Sequence, residues 1–263
     1  MQTTLITGAS SGIGESLAGH FAKGGSNLIL VARSEAKLKT LAAQLEKQHS
    51  VKVWVEPADL SKRGAAKKLA ASLKAQTIEC DVLVNCAGVL EHGYFVHNGA
   101  AAHQQIIDLN ITGLTSMLDV FLPGMVKRGA GRVLNVASIA SFQPMPSLAV
   151  YAASKAYVLS LTESLAEELK GTGVTITALC PGVTATNMLS SAQQKSEGLN
   201  LPGFIIGDVE DVAEQGYQAC MKGEVICVPG AINLAATVAG RATPKWLLRR
   251  VSGLVGRYTA GKN

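Results

Sequence analysis

The run Thr3-Thr4-Leu5-Ile6-Thr7 is short, uncharged and rich in β-branched residues, and it stops at the first of three glycines in Gly8-Ala9-Ser10-Ser11-Gly12-Ile13-Gly14. A helical pattern, Gly14–Lys23, follows at once. Strand, glycine turn and helix in that order open a βαβ unit, whose crossover has one favoured hand. Glycine at such a turn lets the backbone approach a pyrophosphate and leaves the helix N-terminus open to negative charge. A tight turn with no ligand uses the same residues, so the motif constrains the fold before it constrains the function.

The pattern then repeats along the chain. Strands are predicted near Thr3–Thr7, Asn27–Ala32, Val51–Glu56, Val82–Asn85, Val133–Ala137, Thr175–Cys180 and Val225–Val228. Helical stretches such as Glu35–Gln48 and Ala65–Ala75 lie between them, and Ala101 to Arg128 reads as one long helix with Ile107, Ile111, Leu114, Leu118 and Phe121 at helical spacing. Most strand candidates are continuous apolar runs rather than alternating ones, as strands covered on both faces must be. The expected class is therefore α/β: a Rossmann-like, doubly wound parallel sheet of seven strands with helices on both faces. With 48% hydrophobic and only 16% charged residues the chain can bury a large core. No linker or repeat divides residues 1–263, so one domain is expected.

Charge and cysteine usage narrow the setting. A net charge of +5, with no long basic run, gives no reason to expect nucleic acid. Cys80, Cys86, Cys180, Cys220 and Cys227 are an odd set without a CxxC pair, which suits reduced thiols in the cytoplasm. No metal site is expected. Met1-Gln2-Thr3-Thr4-Leu5 lacks a basic n-region, so no signal peptide is expected. The apolar stretch from Val225 to Gly240 is broken by Pro229-Gly230 and falls short of the roughly 20 residues a spanning helix needs.

Candidate site residues gather at the predicted strand ends. After the second strand, Val31-Ala32-Arg33-Ser34 offers no carboxylate to bind both ribose hydroxyls of NAD. Arg33, with Lys37 one helical turn on, is suited instead to a 2′-phosphate, and NADP(H) is the expected cofactor in preference to NAD. Asp59-Leu60 follows the third strand and could meet an adenine edge, although an aspartate there is also an ordinary helix cap. Asn85-Cys86-Ala87-Gly88 follows the fourth. Small residues there permit close packing beside a cofactor, the Asn amide can tie neighbouring strand ends together, and Cys86 reads as a buried, inert thiol. Asn110 stands among apolar neighbours in the long helix, either satisfying a local backbone group or holding a water.

Ser138 follows the fifth strand at the carboxyl edge of the sheet, where open α/β folds bind ligands. Thirteen residues on, Tyr151 and Lys155 are four apart and share one helix face. A cation held there favours a phenolate and lowers a pKa otherwise about 10, and such a phenol can exchange a proton with an alcohol or carbonyl. The same helix continues through Val158, Leu159, Thr162, Leu165 and Leu169, a stripe that packs on the sheet or on another subunit.

Taken together, Thr7-Gly8-x-x-x-Gly12-x-Gly14, Asn85-x-Ala87-Gly88, Asn110, Ser138, Tyr151-x-x-x-Lys155 and Pro181-Gly182-Val183-Thr184-Ala185-Thr186 resemble the short-chain dehydrogenase/reductase family in its compact single-domain form. The resemblance implies reversible hydride transfer between a nicotinamide cofactor and a carbonyl or alcohol. It implies that Tyr151 exchanges the proton and that Lys155 holds the nicotinamide ribose and lowers the tyrosine's pKa. Ser138 orients the carbonyl oxygen, and Asn110 supports a proton-relay water. Gly8, Ser10, Ser11, Gly12, Ile13 and Gly14 would surround the phosphates, Asp59 and Leu60 the adenine, and Asn85, Ala87 and Gly88 the adenosine side. Pro181, Gly182, Val183 and Thr186 would meet the nicotinamide carboxamide. Cys86 departs from the usual second Asn of that turn. Ser11 stands where many NADP-preferring members carry a basic residue, so the cofactor preference rests on Arg33. The family's paired helices imply a homodimer or homotetramer.

On the substrate side, residues 186–203 are expected to form a lid containing Met188, Leu189, Leu199, Leu201 and Pro202. Ile139, Phe142, Met145 and Pro146 would add apolar walls, which suits a hydrophobic ketone or aldehyde. A helical extension is expected over residues 244–263, with Trp246, Leu247, Val251, Leu254, Val255 and Tyr258 on one side and Lys245, Arg249, Arg250 and Arg257 on the other. It either docks on its own or a neighbouring subunit, the favoured reading, or makes peripheral contact with an anionic membrane. A second reading of the whole chain is a catalytically silent NADP-binding regulatory or scaffold protein on the same fold.

Overall fold

Leu5 and Ile6 are neighbours in sequence and both fully buried, yet they belong to two different hydrophobic cores. Strand geometry requires this, because successive side chains point to opposite faces of a sheet. Leu83 and Val133 join Leu5 in one core, while Val82, Val84 and Leu134 join Ile6 in the other. A sheet covered on both faces explains why these strands read as unbroken apolar runs.

The computed structural model describes residues 1–184, 207–243 and 250. Within it β1 (Thr3–Thr7), β2 (Asn27–Ala32), β3 (Val53–Pro57), β4 (Val82–Asn85), β5 (Gly131–Val136), β6 (Val174–Leu179) and β7 (Ile226–Cys227) form a seven-stranded sheet in the order β3-β2-β1-β4-β5-β6-β7. Every pairing is parallel. The doubly wound sheet expected from the sequence is present, and the strand ends deviate from their predicted places by no more than two residues. The strand order reverses between β1 and β4, which leaves a crevice at their carboxyl ends.

One face is covered by α1 (Gly12–Lys23), α2 (Glu35–His49) and α7 (Val209–Lys222), which contribute Leu17, Phe21, Leu38, Leu45, Val212 and Ala213 to the core of Ile6. The other is covered by α3 (Ala65–Ala75), α5 (Leu114–Arg128) and α6 (Ala149–Glu168). Val158 and Leu159 of α6 and its C-cap Leu169 lie in the core of Leu5, with Leu165 packed against it, so the stripe expected on this helix meets the sheet of its own chain. The helix α8 (Ala231–Ala242) follows β7.

The long helix differs from its expectation. α4 (Ala100–Ile106) runs into a π-helical stretch, Ile107–Gly113, before α5 begins. The wider turn shifts the register of the apolar stripe: Ile106 is 3% exposed, whereas Ile107, expected to face the core, is 37% exposed. In exchange the polar Asn110 is carried inward to 1% exposure. A single inserted residue of this kind is typical of functional positions. By length and composition Ala100–Arg128 could cross a membrane, but Leu114, Met117, Leu118 and Met125 are buried against the sheet, as in a core helix.

The expected lid, 186–203, lies outside the described residues, and so does the expected extension over 244–263 apart from Arg250.

Candidate active site

The glycine turn is built by close approach. Gly8 has φ +70°, and a Cβ on it would stand 2.9 Å from the Cα of Ala87. A Cβ on Gly14 would meet the carbonyl oxygen of Gly8 at 2.4 Å, so α1 can seat on β1 only with glycine there. Ser11 caps α1 in extended conformation but makes no side-chain cap bond. The first N–H groups of the helix therefore stay open to an anion. Thr7 ties this turn to the next strand: its hydroxyl accepts from the amides of Cys86 and Ala87, each at 3.0 Å, and donates to the Val84 carbonyl at 3.3 Å. The turn that leads into Ser10, Ser11, Gly12, Ile13 and Gly14 is thus tied to the loop that carries Asn85, Ala87 and Gly88.

Asn85 performs the tie expected of it. Its Nδ2 donates to Oδ1 of Asn135 on β5 at 2.9 Å, Asn135 Nδ2 donates to Thr162 Oγ1 on α6 at 2.9 Å, and Thr162 donates to the Val158 carbonyl at 2.7 Å. Neither Asn135 nor the polar role of Thr162 was evident beforehand; the one signal was an Asn inside an otherwise apolar strand. Asn85 Oδ1 is buried and has no partner among the described residues. Arg33 just past β2 and Lys37 in the first turn of α2 are both exposed. Asp59 accepts from the hydroxyl and amide of Ser61 at 2.7 and 3.1 Å. The Ser61 hydroxyl, with Arg33 and Lys62 adding weaker attraction, holds its carboxyl below the ordinary value. Leu60 is buried, and its carbonyl presses on Gly113, where a Cβ would stand 2.7 Å away.

An open helix N-terminus, two glycines that admit close approach and an unpartnered Asn85 Oδ1 fit a dinucleotide laid across the β1/β4 crevice.

The remaining groups converge one strand further on. Ser138 stands two residues past β5 and caps a 3₁₀ turn, Ile139–Phe142, accepting from the Ala140 amide at 3.1 Å. The Ser138 hydroxyl also favours the ionised form of the Tyr151 phenol. Lys155 is 5% exposed; its Nζ donates to the Val136 carbonyl at 2.8 Å and stands 5.8 Å from the Tyr151 ring centroid. A Cβ on Gly88 would lie 3.5 Å from that Nζ and 3.3 Å from Asn110 Oδ1, so the small residues after β4 leave room for this polar pair. Asn110 accepts from the Val89 amide at 2.9 Å and donates to the Val89 carbonyl at 2.9 Å and to Ser154 Oγ at 3.1 Å. Its side chain is fully committed to holding the loop after β4 against α6. Past the end of β6, Pro181 reaches the residue after Ser138, its carbonyl accepting from the Ile139 amide at 2.9 Å, while Gly182 lies against Asn233 and the Val183 carbonyl accepts from the Gly207 amide at 2.8 Å. Thr186 lies outside the described residues.

The electrostatics depart from one expectation. Burial pushes Lys155 down from 10.5 to about 8, with the nearby Cys86 and Cys180 opposing weakly. Burial raises the Tyr151 phenol, and the Ser138 hydroxyl pulls it part of the way back. The predicted lowering of Tyr151 by Lys155 is thus reversed, because desolvation of the phenol outweighs every attraction on it. A phenol in that state is a proton donor. Burial also lifts the Cys86 thiol to about 11, so it stays protonated and unreactive at neutral pH, as its apolar setting suggested.

The family model described as "short chain dehydrogenase" matches residues 2–197. An uncharacterized oxidoreductase of Staphylococcus saprophyticus is 32% identical over 185 residues, covering 70% of this chain and 79% of that one. Among solved structures, a short-chain dehydrogenase from Sphingobium yanoikuyae in complex with NADPH superposes with a TM-score of 0.82 at 30% identity, over 100% of this chain and 99% of that one. The bulky-bulky ketone specific alcohol dehydrogenase from Comamonas testosteroni gives 0.79 at 28% identity, over 100% and 97%.

Proposed function

The chain belongs to the short-chain dehydrogenase family of oxidoreductases, and from that premise we propose that it interconverts a hydrophobic ketone or aldehyde with its alcohol, using NADP(H). The observation that carries the reading is the convergence of Ser138, Tyr151 and Lys155 at the carboxyl edge of β5, with Tyr151 held protonated. Nothing in the packing requires all three at once.

The nicotinamide cofactor, when bound, supplies or accepts the hydride. The chain's own residues handle the proton and the geometry. In reduction, Tyr151 donates its phenolic proton to the carbonyl oxygen, and Ser138 donates a hydrogen bond to that oxygen and fixes its direction. Lys155, anchored on Val136, places a positive charge beside the phenolate that Tyr151 becomes. Asn110 positions the loop after β4 through its amide, so any water it supports would be held by the main chain of the π-helical turn. Gly8, Ser10, Ser11, Gly12, Ile13 and Gly14 would hold the pyrophosphate and Arg33 the 2′-phosphate. A raised phenol pKa keeps Tyr151 in the protonated form that reduction uses. The NADPH complex of one neighbour and the bulky ketone specificity of another support the cofactor and substrate class.

Consumption of NADPH with a panel of hydrophobic ketones and aldehydes tests this, with Tyr151→Phe as control. Tight NADPH binding without turnover of any carbonyl would favour the silent scaffold reading instead. The same proposal includes a homodimer or homotetramer in the cytoplasm, which sedimentation and cell fractionation would check.

A further inference from the structure

His92 is buried to 8% exposure, and it joins two loops that flank the groups assigned above. It lies in the loop after β4, four residues past Gly88. Its Nε2 is 3.1 Å from the hydroxyl of Ser147, in the loop between the 3₁₀ turn and α6. The Ser147 hydroxyl spends its own proton on the Pro146 carbonyl, so it receives a hydrogen bond from His92 Nε2–H. His92 Nδ1 is buried with no partner among the described residues, which suits the neutral tautomer that carries its proton on Nε2. Burial also lowers the imidazole's pKa, against a weaker opposing pull from Glu91.

What His92 holds is conformationally costly. Ser147 has φ +66°, the left-handed region that a serine seldom adopts. Such a residue persists only where its surroundings hold it there. Two contacts from the same loop do so: His92 on the side chain, and the Gly93 amide on the Ser147 carbonyl at 2.9 Å. Ser147 comes directly before Leu148, the N-cap of α6, and four residues before Tyr151. The start of α6 decides where the Tyr151 hydroxyl stands relative to Ser138. A misplacement of about 1 Å in such a constellation can lower a rate roughly 100-fold.

We infer that His92 is a positioning residue for Tyr151, acting as a neutral Nε2–H donor that pins Ser147 in its left-handed turn at the head of α6. The inference rests on the reading of Tyr151 as proton donor. It assigns His92 no contact with substrate or cofactor. The chemistry needed is a donor at the Nε2 position alone. A glutamine places its amide nitrogen near that position, whereas an asparagine places one nearer Nδ1.

The test compares His92→Leu, His92→Asn and His92→Gln by steady-state kinetics with a turned-over carbonyl, by NADPH affinity, and by crystal structures. The expected result is a fall in kcat of about 10-fold or more for the Leu and Asn variants. NADPH affinity stays unchanged, and most of the kcat returns in the Gln variant. The Leu variant's structure should show Ser147 out of the left-handed region and the Tyr151 hydroxyl displaced from Ser138. Equal kcat in all three variants, or a Gln variant as impaired as the Asn one, would overturn the inference. If wild-type protein reduces no carbonyl, the proposed function fails instead. The structures then decide alone: an unmoved Ser147 and Tyr151 in His92→Leu refute the positioning role, and a relaxed Ser147 with a displaced Tyr151 supports it.

Discussion

Lys155 Nζ donates to the carbonyl of Val136 at 2.8 Å, so the one buried ammonium of the site is fastened to the last residue of β5. That bond fixes the cation beside Tyr151, but it does not repay the loss of water around the charge, and Lys155 falls from 10.5 to about 8. Between those two pH values the unfolded chain binds a proton that the folded chain has given up. Stability therefore rises with pH through that window, and below pH 8 the folded state carries the full penalty of a buried charge. Lys155→Met removes the penalty. The stability difference between variant and wild type should move by about 3 kcal/mol toward the wild type from pH 7 to above pH 10.5. The unpartnered Val136 carbonyl left in the variant adds a constant offset that does not change with pH. Urea unfolding of both proteins at several pH values measures it, and a pH-independent difference would refute the placement of this charge.

Tyr151 should behave as an acid over the whole neutral range, because burial holds its phenol above the ordinary value of 10. Tyr151→Phe is expected to lower kcat by about 10²- to 10⁴-fold, the usual worth of a general acid. NADPH affinity should be nearly unchanged. Ketone reduction should also weaken as pH rises past about 8, where Lys155 loses the charge that stabilises the phenolate product. A pH–rate profile flat from 7 to 10 would remove Lys155 from that role.

Much of this was legible in the chain. Seven strands and their buried faces follow from continuous apolar runs, and the glycine turn marks the strand that passes into a helix with an open N-terminus. Three features were not. The π-helical insertion at Ile107–Gly113 leaves no trace in a periodicity that fits an ordinary helix through Ile107 and Ile111, and it is this insertion that buries Asn110. Desolvation at Tyr151 is a property of the assembled pocket, so a Tyr and a Lys four residues apart cannot disclose which of two opposing effects wins. Contacts between residues far apart in sequence, such as His92 with Ser147 or Asn85 with Asn135, carry no local pattern at all.

Arg33 is exposed beside the end of β2, with Lys37 close in sequence and no carboxylate between Ala32 and Ser34. A charge-assisted pair of bonds to a 2′-phosphate contributes about 1.5–3 kcal/mol. Arg33→Ala should therefore raise the dissociation constant for NADPH roughly 10- to 100-fold and leave that for NADH almost unaltered. Fluorescence titration with both nucleotides reads the ratio. Equal losses would sink the NADP preference.

Asn135 is completely buried and serves both its neighbours, accepting from Asn85 and donating to Thr162. It joins β4 to β5 and β5 to α6, and so links the cofactor side of the crevice to the helix that bears Tyr151 and Lys155. Asn135→Leu would fill the space but strand the Asn85 amide donor, in a residue whose Oδ1 already lacks a partner among the described residues. One unsatisfied buried polar group costs about 1–3 kcal/mol. Thr162 keeps its bond to the Val158 carbonyl and adds little to that loss. Asn135→Leu is thus expected to destabilise the fold by about 2 kcal/mol and to weaken NADPH binding as Asn85 loses its anchor. In the double variant Asn85→Ala with Asn135→Leu, the stranded donor is gone, so stability should partly return while NADPH affinity stays low. Additive losses of stability would mean that the two amides act independently and that the link from β4 to β5 contributes nothing beyond its backbone pairing.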